Sequence, residues 1–358
     1  MASFRTLCSF LFLLCTLWAA PATGQTAPRA ESADLGTIAF ATSGTPAAQA
    51  YFLKGALALH SFWYPQARDY FQRAQRLDPG FAMAYWGEAM THDHPLWDQH
   101  DNAAGRAVLA RLDSVAAASG VAATPREERY LQAVRTLFMG EGTIDARRRA
   151  HADAMVALRK AYPSDDEAAI FAALARMSLP SFSYEEPSDV VPIAADLEAI
   201  YQRKPRHPGV LHYLIHVYDS ALFAPLGLRP AQTYAKVAPA ASHALHMPSH
   251  IYRSLGRWTD VIPPNVRAYQ ASVDWQQRTG RPIHMRDFHS YRWLFDAYVA
   301  LNRPEDACQH MDRLQGLIDQ AQARDESTGR MPEVLAYMAE EYQTAFEDGS
   351  CAAAAGTP

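Results

Sequence analysis

The chain has 358 residues, of which 49% are hydrophobic and 20% are charged, and its formal net charge is -5. This balance is that of an ordinary folded protein. No long basic stretch is present, which argues against nucleic acid as a partner.

The N-terminal segment is typical of a secretory signal peptide. Arg5 supplies the positive charge, an apolar run follows from about Phe10 to Ala20, and small residues lead up to Gly24. The apolar run is too short to span a bilayer, and no later segment is long and apolar enough either. We therefore expect residues 1–24 to be a removed signal peptide and the protein to be secreted or periplasmic, without a membrane span.

Two cysteines, Cys308 and Cys351, remain in the mature chain, because Cys8 and Cys15 lie in the signal segment. An oxidising compartment favours a disulfide between the remaining two, which would tether the C-terminal tail. The alternative is a pair of unpaired thiols.

Residues 48–81 have the spacing of a tetratricopeptide repeat, which is a pair of antiparallel helices. Gly55, Ala67, Phe71 and Pro79 stand at the eighth, twentieth, twenty-fourth and thirty-second positions of this block. The small residues allow the two helices to approach closely, and Phe71 fills the space between them. Proline ends the second helix because it cannot donate the next hydrogen bond.

Further blocks in the same register begin at Ala82, Asp166, Leu211, Ser242 and Phe288. Residues 106–163 are helical in pattern without a clear phase, and the prolines within residues 225–239 predict an interrupted connection. No stretch alternates convincingly as a strand does. We therefore predict an all-α, tetratricopeptide-like helical-repeat solenoid over residues 46–347, with an extended lead-in at 25–45 and a disordered tail at 348–358.

Histidines are concentrated on the predicted concave surface of this solenoid. The first helix of each pair lines that surface through its second, fifth, ninth, twelfth and thirteenth residues. Of the 14 histidines, seven occupy such positions: His60, His94, His212, His243, His246, His250 and His289. His216 follows His212 by one helical turn and shares its face, and Asp219 is the ninth residue of the same block.

This pattern predicts a metal site. Imidazole is the commonest neutral metal ligand, and pairs spaced i, i+3 or i, i+4 bring two rings toward one ion. The predicted ligands are His212, His216, His243, His246, His250 and His289, with Asp219 as a further candidate and with His60 and His94 facing them or forming a second site.

Copper is the favoured ion, because affinity for divalent ions peaks at copper and the compartment lies outside the cytosol. Iron held by two histidines and Asp219 is the runner-up, and zinc is a further alternative. Magnesium and calcium prefer oxygen ligands and do not suit this set.

The chain resembles a group of bacterial secreted tetratricopeptide-repeat proteins in four long stretches: LALHSFWYPQA, MAYWGEAMTHDHPLW, HPGVLHYLIHVYD and ASHALHMPSHIYRSLGRW. The histidine-rich patterns HPGxxHYxIHxYD and SHALHMPSHI are part of them. The resemblance extends from about Ser43 to Asn302. It implies a helical-repeat fold and groove positions for the eight histidines named above, and it implies no particular activity.

Two classes of function agree with these observations. The sequence lacks a Gly-x-Ser-x-Gly elbow, a His-Glu-x-x-His motif and a phosphate-binding loop, so an enzyme of this sequence would depend on its metal. Oxidation of a peptide or a small phenolic substrate is then the expected reaction. The alternative is a scaffold that captures an extended peptide or protein partner without catalysis. Such grooves usually carry Asn, Lys or Arg, as Arg292 does here, but the histidines outnumber residues of this kind.

Overall fold

The computed structural model describes residues 34–119, 123–346 and Cys351. The chain divides into two units, residues 1–31 and residues 32–358, and the helices described below all lie in the second. The expected signal peptide, and the expected tail apart from Cys351, lie outside the described residues. Within the described part, no helix is both long and apolar enough to cross a membrane.

Sixteen α-helices make up most of the described chain. The first eight are α1 (Pro46–His60), α2 (Tyr64–Leu77), α3 (Ala82–Met90), α4 (Asn102–Ser119), α5 (Pro125–Met139), α6 (Ile144–Ala161), α7 (Asp166–Met177) and α8 (Pro187–Arg203). The second eight are α9 (Pro208–Val217), α10 (Ala224–Val237), α11 (Ser242–His246), α12 (Pro248–Ser254), α13 (Trp258–Thr279), α14 (Phe288–Ala300), α15 (Pro304–Ala323) and α16 (Met331–Ala345).

The first pair, α1 and α2, has the packing that the repeat spacing predicts. Phe71 of α2 is fully buried between α1 and α3. A Cβ atom on Gly55 would lie 2.6 Å from its ring, and one on Gly87 would lie 2.3 Å from it. Only glycine permits this approach of the helices. The fold is the predicted all-α, tetratricopeptide-like helical repeat.

Local signals determine where several first helices begin. Asp165 and Asp287 each accept a hydrogen bond from the backbone amide three residues later, and so cap α7 and α14. His207 caps α9 in the same way through Nδ1, and Pro208 follows in the first turn, where no donor is needed. Helices α7 and α14 begin at the predicted residues, whereas α9 begins three residues before the predicted Leu211.

The second block departs from the prediction. Helix α3 ends at Met90, and an antiparallel pair of two-residue strands follows, β1 (Asp93–His94) and β2 (Gln99–His100). Pro95 disfavours the helical conformation in the residue before it. The thirteenth residue of this block, His94, therefore lies on a strand and not on a helix.

The prediction of an interrupted connection around residues 225–239 was wrong for residues 225–237. These residues belong to α10, with Pro225 in its first turn and Pro230 inside it, whereas Pro239 lies in the turn that follows. A proline in the first turn removes a donor that has no partner within the helix. Proline alone was therefore a poor guide to the end of helical structure here.

Contacts between distant helices bring the histidine-bearing segments together. Helix α9 packs on α1, α7 and α12, so the first pair contacts a helix that begins about 150 residues later. At the C-terminal end, Cys308 of α15 and Cys351 form a disulfide across 43 residues. The predicted pairing is confirmed, and it fastens residue 351 to α15.

Candidate metal centre

Six histidines come together from four helices of the array. Two lie on α9, two on α11, one on α12 and one on α14, and these are His212, His216, His243, His246, His250 and His289. The first five are buried, and His289 is half-buried. The structure thus assembles the six histidines that the sequence predicts for one site, and it divides them into two triads.

The first triad consists of His212, His216 and His243. Nε2 of His212 lies 3.0 Å from Nε2 of His216 and 3.1 Å from Nε2 of His243. Three nitrogens bound to one ion at 2.0–2.1 Å in tetrahedral geometry would be about 3.3 Å apart. The dimensions of this triad are therefore close to those of a trihistidine metal site.

The second triad consists of His246, His250 and His289. Nε2 of His246 lies 3.0 Å from Nε2 of each of the other two rings. The triads adjoin, since the ring centroids of His216 and His250 are 5.2 Å apart and those of His243 and His246 are 5.5 Å apart. The contacts of His246 hold the second triad together, and the nitrogens of His243, His246 and His289 also lie within 4.8 Å of one another. The six imidazoles therefore form two adjoining clusters of ring nitrogens, with His243 next to both.

Oxygen acceptors fix the proton position on the central ring of each triad. Nδ1 of His212 donates to the backbone carbonyl of His60 at 2.5 Å. Nδ1 of His246 donates at 2.5 Å to the amide oxygen of Asn265, whose amide nitrogen donates to the carbonyl of Val261. Because the proton resides on Nδ1, Nε2 of each neutral ring presents a lone pair to its triad.

Asp219 supports the second triad from behind. Its Oδ2 accepts from Nδ1 of His250 at 2.5 Å, and its Oδ1 accepts from the hydroxyl of Ser254 at 2.7 Å. Both carboxylate oxygens thus have partners on the side of His250 that faces away from the other triad nitrogens. The position of Asp219 is that of a residue that orients a ligand.

Burial keeps His212, His216, His243, His246 and His289 in the neutral form that binds metal. It lowers the pKa of His212 to about 3 and that of His289 to about 4. It also brings the pKa values of His216, His243 and His246 well below 6.5, and the neighbouring imidazoles reinforce this effect. A proton therefore competes poorly for these nitrogens at neutral pH.

His60 lies outside both triads, in a separate buried network. Its Nε2 donates to Oε2 of Glu167 at 2.8 Å, and Nε2 of His207 donates to Oε1 of the same carboxylate at 2.9 Å. The hydroxyl of Tyr213 donates to Nδ1 of His60 at 3.2 Å. Hydrogen bonds satisfy this network, and it adjoins the first triad through the carbonyl of His60, which accepts from His212, and through Tyr213, whose ring lies 5.2 Å from that of His212.

His94 also lies outside the triads. Its Nδ1 is 3.1 Å from the amide oxygen of Gln99, and its ring stacks on Tyr64 with centroids 3.7 Å apart. The structure therefore places these two predicted ligands away from the triads. His60 lies in a buried hydrogen-bonded network, and His94 lies in the wall of a cavity.

Sequence reasoning missed three residues of this region, His207, Gly209 and Asn265. His207 lies before Leu211, where the first helix of its block was predicted to begin, although it belongs to the HPGVLHYLIHVYD stretch. Gly209 of that stretch has a clear role, since a Cβ there would lie 2.5 Å from Nδ1 of His60. Asn265 lies on α13, the second helix of its pair, and no spacing pointed to it.

A cavity of about 750 Å³ lies beside the triads. One histidine of each triad lines it, namely His243 and His289. The ring of Trp97 lies next to both, with centroid distances of 5.4 Å and 5.8 Å. The remaining aromatic residues of the wall are Phe62, Trp63, Tyr64, Trp275 and Phe288. Both triads therefore adjoin one cavity whose wall is rich in aromatic residues.

Comparison with known proteins gives similarity only among solved structures. No protein-family model matches the sequence, and no curated protein matches it. A tetratricopeptide repeat protein from Parabacteroides merdae ATCC 43184 is similar over 85% of this chain and 95% of that one, with 10% identity and a TM-score of 0.33. The tetratricopeptide domain of P58(IPK) covers 86% of this chain and 95% of its own, with 12% identity and a TM-score of 0.23. The packed helix pairs themselves identify this chain as tetratricopeptide-like in fold.

Proposed function

We propose that the protein binds two transition-metal ions, one in each histidine triad, with copper favoured over iron or zinc. One observation carries this proposal. Nε2 of His212 and Nε2 of His246 each present one lone pair to two other ring nitrogens about 3 Å away. One lone pair accepts one hydrogen bond. In each triad the central Nε2 is therefore left about 3 Å from a second ring nitrogen that it cannot bond, and this contact is repulsive. A cation at the centre of each triad would accept electron pairs from all three rings.

The donor set favours copper. The triads supply neutral imidazole and no thiolate, which suits copper, zinc and iron, and affinity for divalent ions peaks at copper. An iron site that uses Asp219 would require this carboxylate to leave His250 and Ser254. Two adjacent copper ions would supply oxidation by dioxygen, and we propose an oxidoreductase that acts on a phenolic substrate. The protein holds the rings at fixed spacing, and the cavity would admit the substrate to both triads.

The setting of this activity is also part of the proposal. The signal-like N-terminus favours a secreted or periplasmic protein. The disulfide between Cys308 and Cys351 supports an oxidising compartment.

The proposal is tested by elemental analysis and dioxygen uptake. We expect the purified mature protein to hold two copper ions per chain after loading and dialysis, and the copper-loaded protein to consume dioxygen in the presence of a catechol. A zinc-loaded sample is the matched control, because zinc has no redox chemistry. A protein that retains no metal, or equal dioxygen uptake by both samples, would refute the oxidoreductase proposal.

A scaffold that binds a peptide is the second candidate. The arginines of the cavity wall, Arg292 among them, are of the kind that hold a partner's backbone or terminus. Peptide binding that is equally strong in metal-free protein and in variants without the triads would favour this candidate.

Replacement of Asn265 by alanine should weaken metal binding roughly tenfold to hundredfold. Asn265 holds the His246 ring in its tautomer and orientation, and it does not contact the triad nitrogens itself. Isothermal titration with copper in a competing chelator would measure the change. Asn102→Ala, which removes an asparagine bonded to Arg147 far along the chain, serves as the control and should leave affinity unchanged.

A further inference from the structure

The wall of the cavity beside the triads is strongly basic. Four arginines line it, Arg68, Arg286, Arg292 and Arg330. Asp287 is the one acidic residue among the described lining residues, and its carboxylate accepts hydrogen bonds from the hydroxyl of Ser242 and the amide of Ser290. Arg330 is paired with Glu333, but the arginines of the wall still outnumber the carboxylates. This excess of positive charge in a partly enclosed cavity favours an anionic occupant.

Arg292 is the arginine best placed to hold an anion near the triads. It follows His289 by three residues on α14, which places it about 4.5 Å further along the same helix. Its guanidinium stacks over Tyr337 at 4.9 Å, and its nearest ion-pair contact is long, 3.8 Å to Asp296. Its Nε is buried and has no hydrogen-bond partner within the described residues. That Nε is the atom that lies toward Asp296, whereas the side chain as a whole is 37% exposed and lines the cavity, so the guanidinium is placed to meet a ligand there.

The aromatic residues of the same cavity indicate that the rest of the ligand is an aromatic ring. Trp97 lies against both His243 and His289, so a flat ring that packs on Trp97 would face both triads. Trp63 and Trp275 meet edge to face at 5.6 Å further along the wall. Such surfaces bind aromatic rings well and aliphatic chains less selectively.

We propose that this cavity binds a catechol that carries a carboxylate, with the carboxylate on Arg292 and the ring packed against Trp97 beside the two lining histidines. The inference deepens the proposed function and rests on it for the reaction. Each catechol would lose two electrons and two protons to become an ortho-quinone. One dioxygen molecule takes up the four electrons and four protons of two catechols and leaves as two water molecules.

The test compares Arg292→Gln with the unaltered protein in isothermal titrations. Dihydroxybenzoate is the acidic probe, and unsubstituted catechol is the neutral one. We expect the variant to bind dihydroxybenzoate about tenfold more weakly, because a charge-assisted hydrogen bond is lost, and to bind catechol as before. Arg257→Gln, which alters an exposed arginine paired with Asp260, is the matched control and should bind both probes normally.

Equal affinity of the unaltered protein for the two probes, or no effect of Arg292→Gln, would overturn the inference. Tighter binding of the peptide Gly-Gly-Tyr than of dihydroxybenzoate would also overturn it, in favour of the scaffold. The double variant His246→Ala/His250→Ala separates the two proposals. One result would separate them: the unaltered protein binds no metal, and the double variant still binds dihydroxybenzoate in a way that depends on Arg292. The ligand site then stands, and the oxidoreductase proposal fails.

Discussion

The double variant His246→Ala/His250→Ala is expected to hold one metal ion per chain where the unaltered protein holds two. The substitutions leave only His289 in the second triad, and a single imidazole does not retain an ion through dialysis. The first triad keeps all of its nitrogens, since His212, His216 and His243 are untouched. Elemental analysis of copper-loaded, dialysed protein measures the stoichiometry directly.

Two matched measurements accompany this prediction. His92→Ala/His284→Ala removes the same number of imidazoles from outside the triads and should keep both ions. Circular dichroism should show near-normal helical content in both double variants. Unchanged stoichiometry in the His246/His250 variant would refute the division into two metal sites and would leave the scaffold as the better account.

The sequence predicted the gathering of the histidines but not their division. Helix register alone places His212, His243 and His289 at second positions of successive blocks, and this suffices to bring them to one region. The assignment of each ring to a triad depends on side-chain rotamers and on partners that lie far away in sequence. Asn265, for example, acts from a second helix, and the carbonyl of His60 acts across 152 residues. Neither contact leaves a trace in local spacing.

The same limit explains the failure at His94. His94 lies 34 residues after His60, as the repeat requires. The regular register nevertheless ends here, because His94 lies in a short pair of strands and Pro95 follows it. Repeat phasing assumes that every first helix has full length, whereas α3 has only nine residues. The hairpin that replaces the rest of that helix contributes Trp97 to the cavity wall.

Replacement of Glu167 by alanine is expected to lower the free energy of unfolding by about 3–5 kcal/mol. Glu167, His60 and His207 are all at most 3% exposed, and the carboxylate accepts one hydrogen bond from each ring. Its removal leaves two buried N–H groups without acceptors and opens a cavity. Urea unfolding followed by circular dichroism at neutral pH would measure the loss.

The pH dependence of this loss is a second readout. Burial would raise the pKa of Glu167, but its electrostatic interactions and hydrogen bonds with His60 and His207 outweigh that effect, and the pKa lies below its ordinary value of 4.5. A lowered pKa contributes stability that is present above pH 4.5 and is lost as the pH falls further. The difference in stability between the unaltered protein and Glu167→Ala should therefore shrink in acid.

Two comparison variants distinguish the network from a simple effect of lost volume. Glu167→Gln should cost less than Glu167→Ala, because its amide oxygen still accepts from His207 while its amide nitrogen donates to Nε2 of His60 after a change of tautomer. Glu128→Ala removes an exposed carboxylate from α5 and should change stability by less than about 0.5 kcal/mol. A glutamine variant as unstable as the alanine variant would show that the charge of Glu167, and not its hydrogen bonds, stabilises the first pair against α7 and α9.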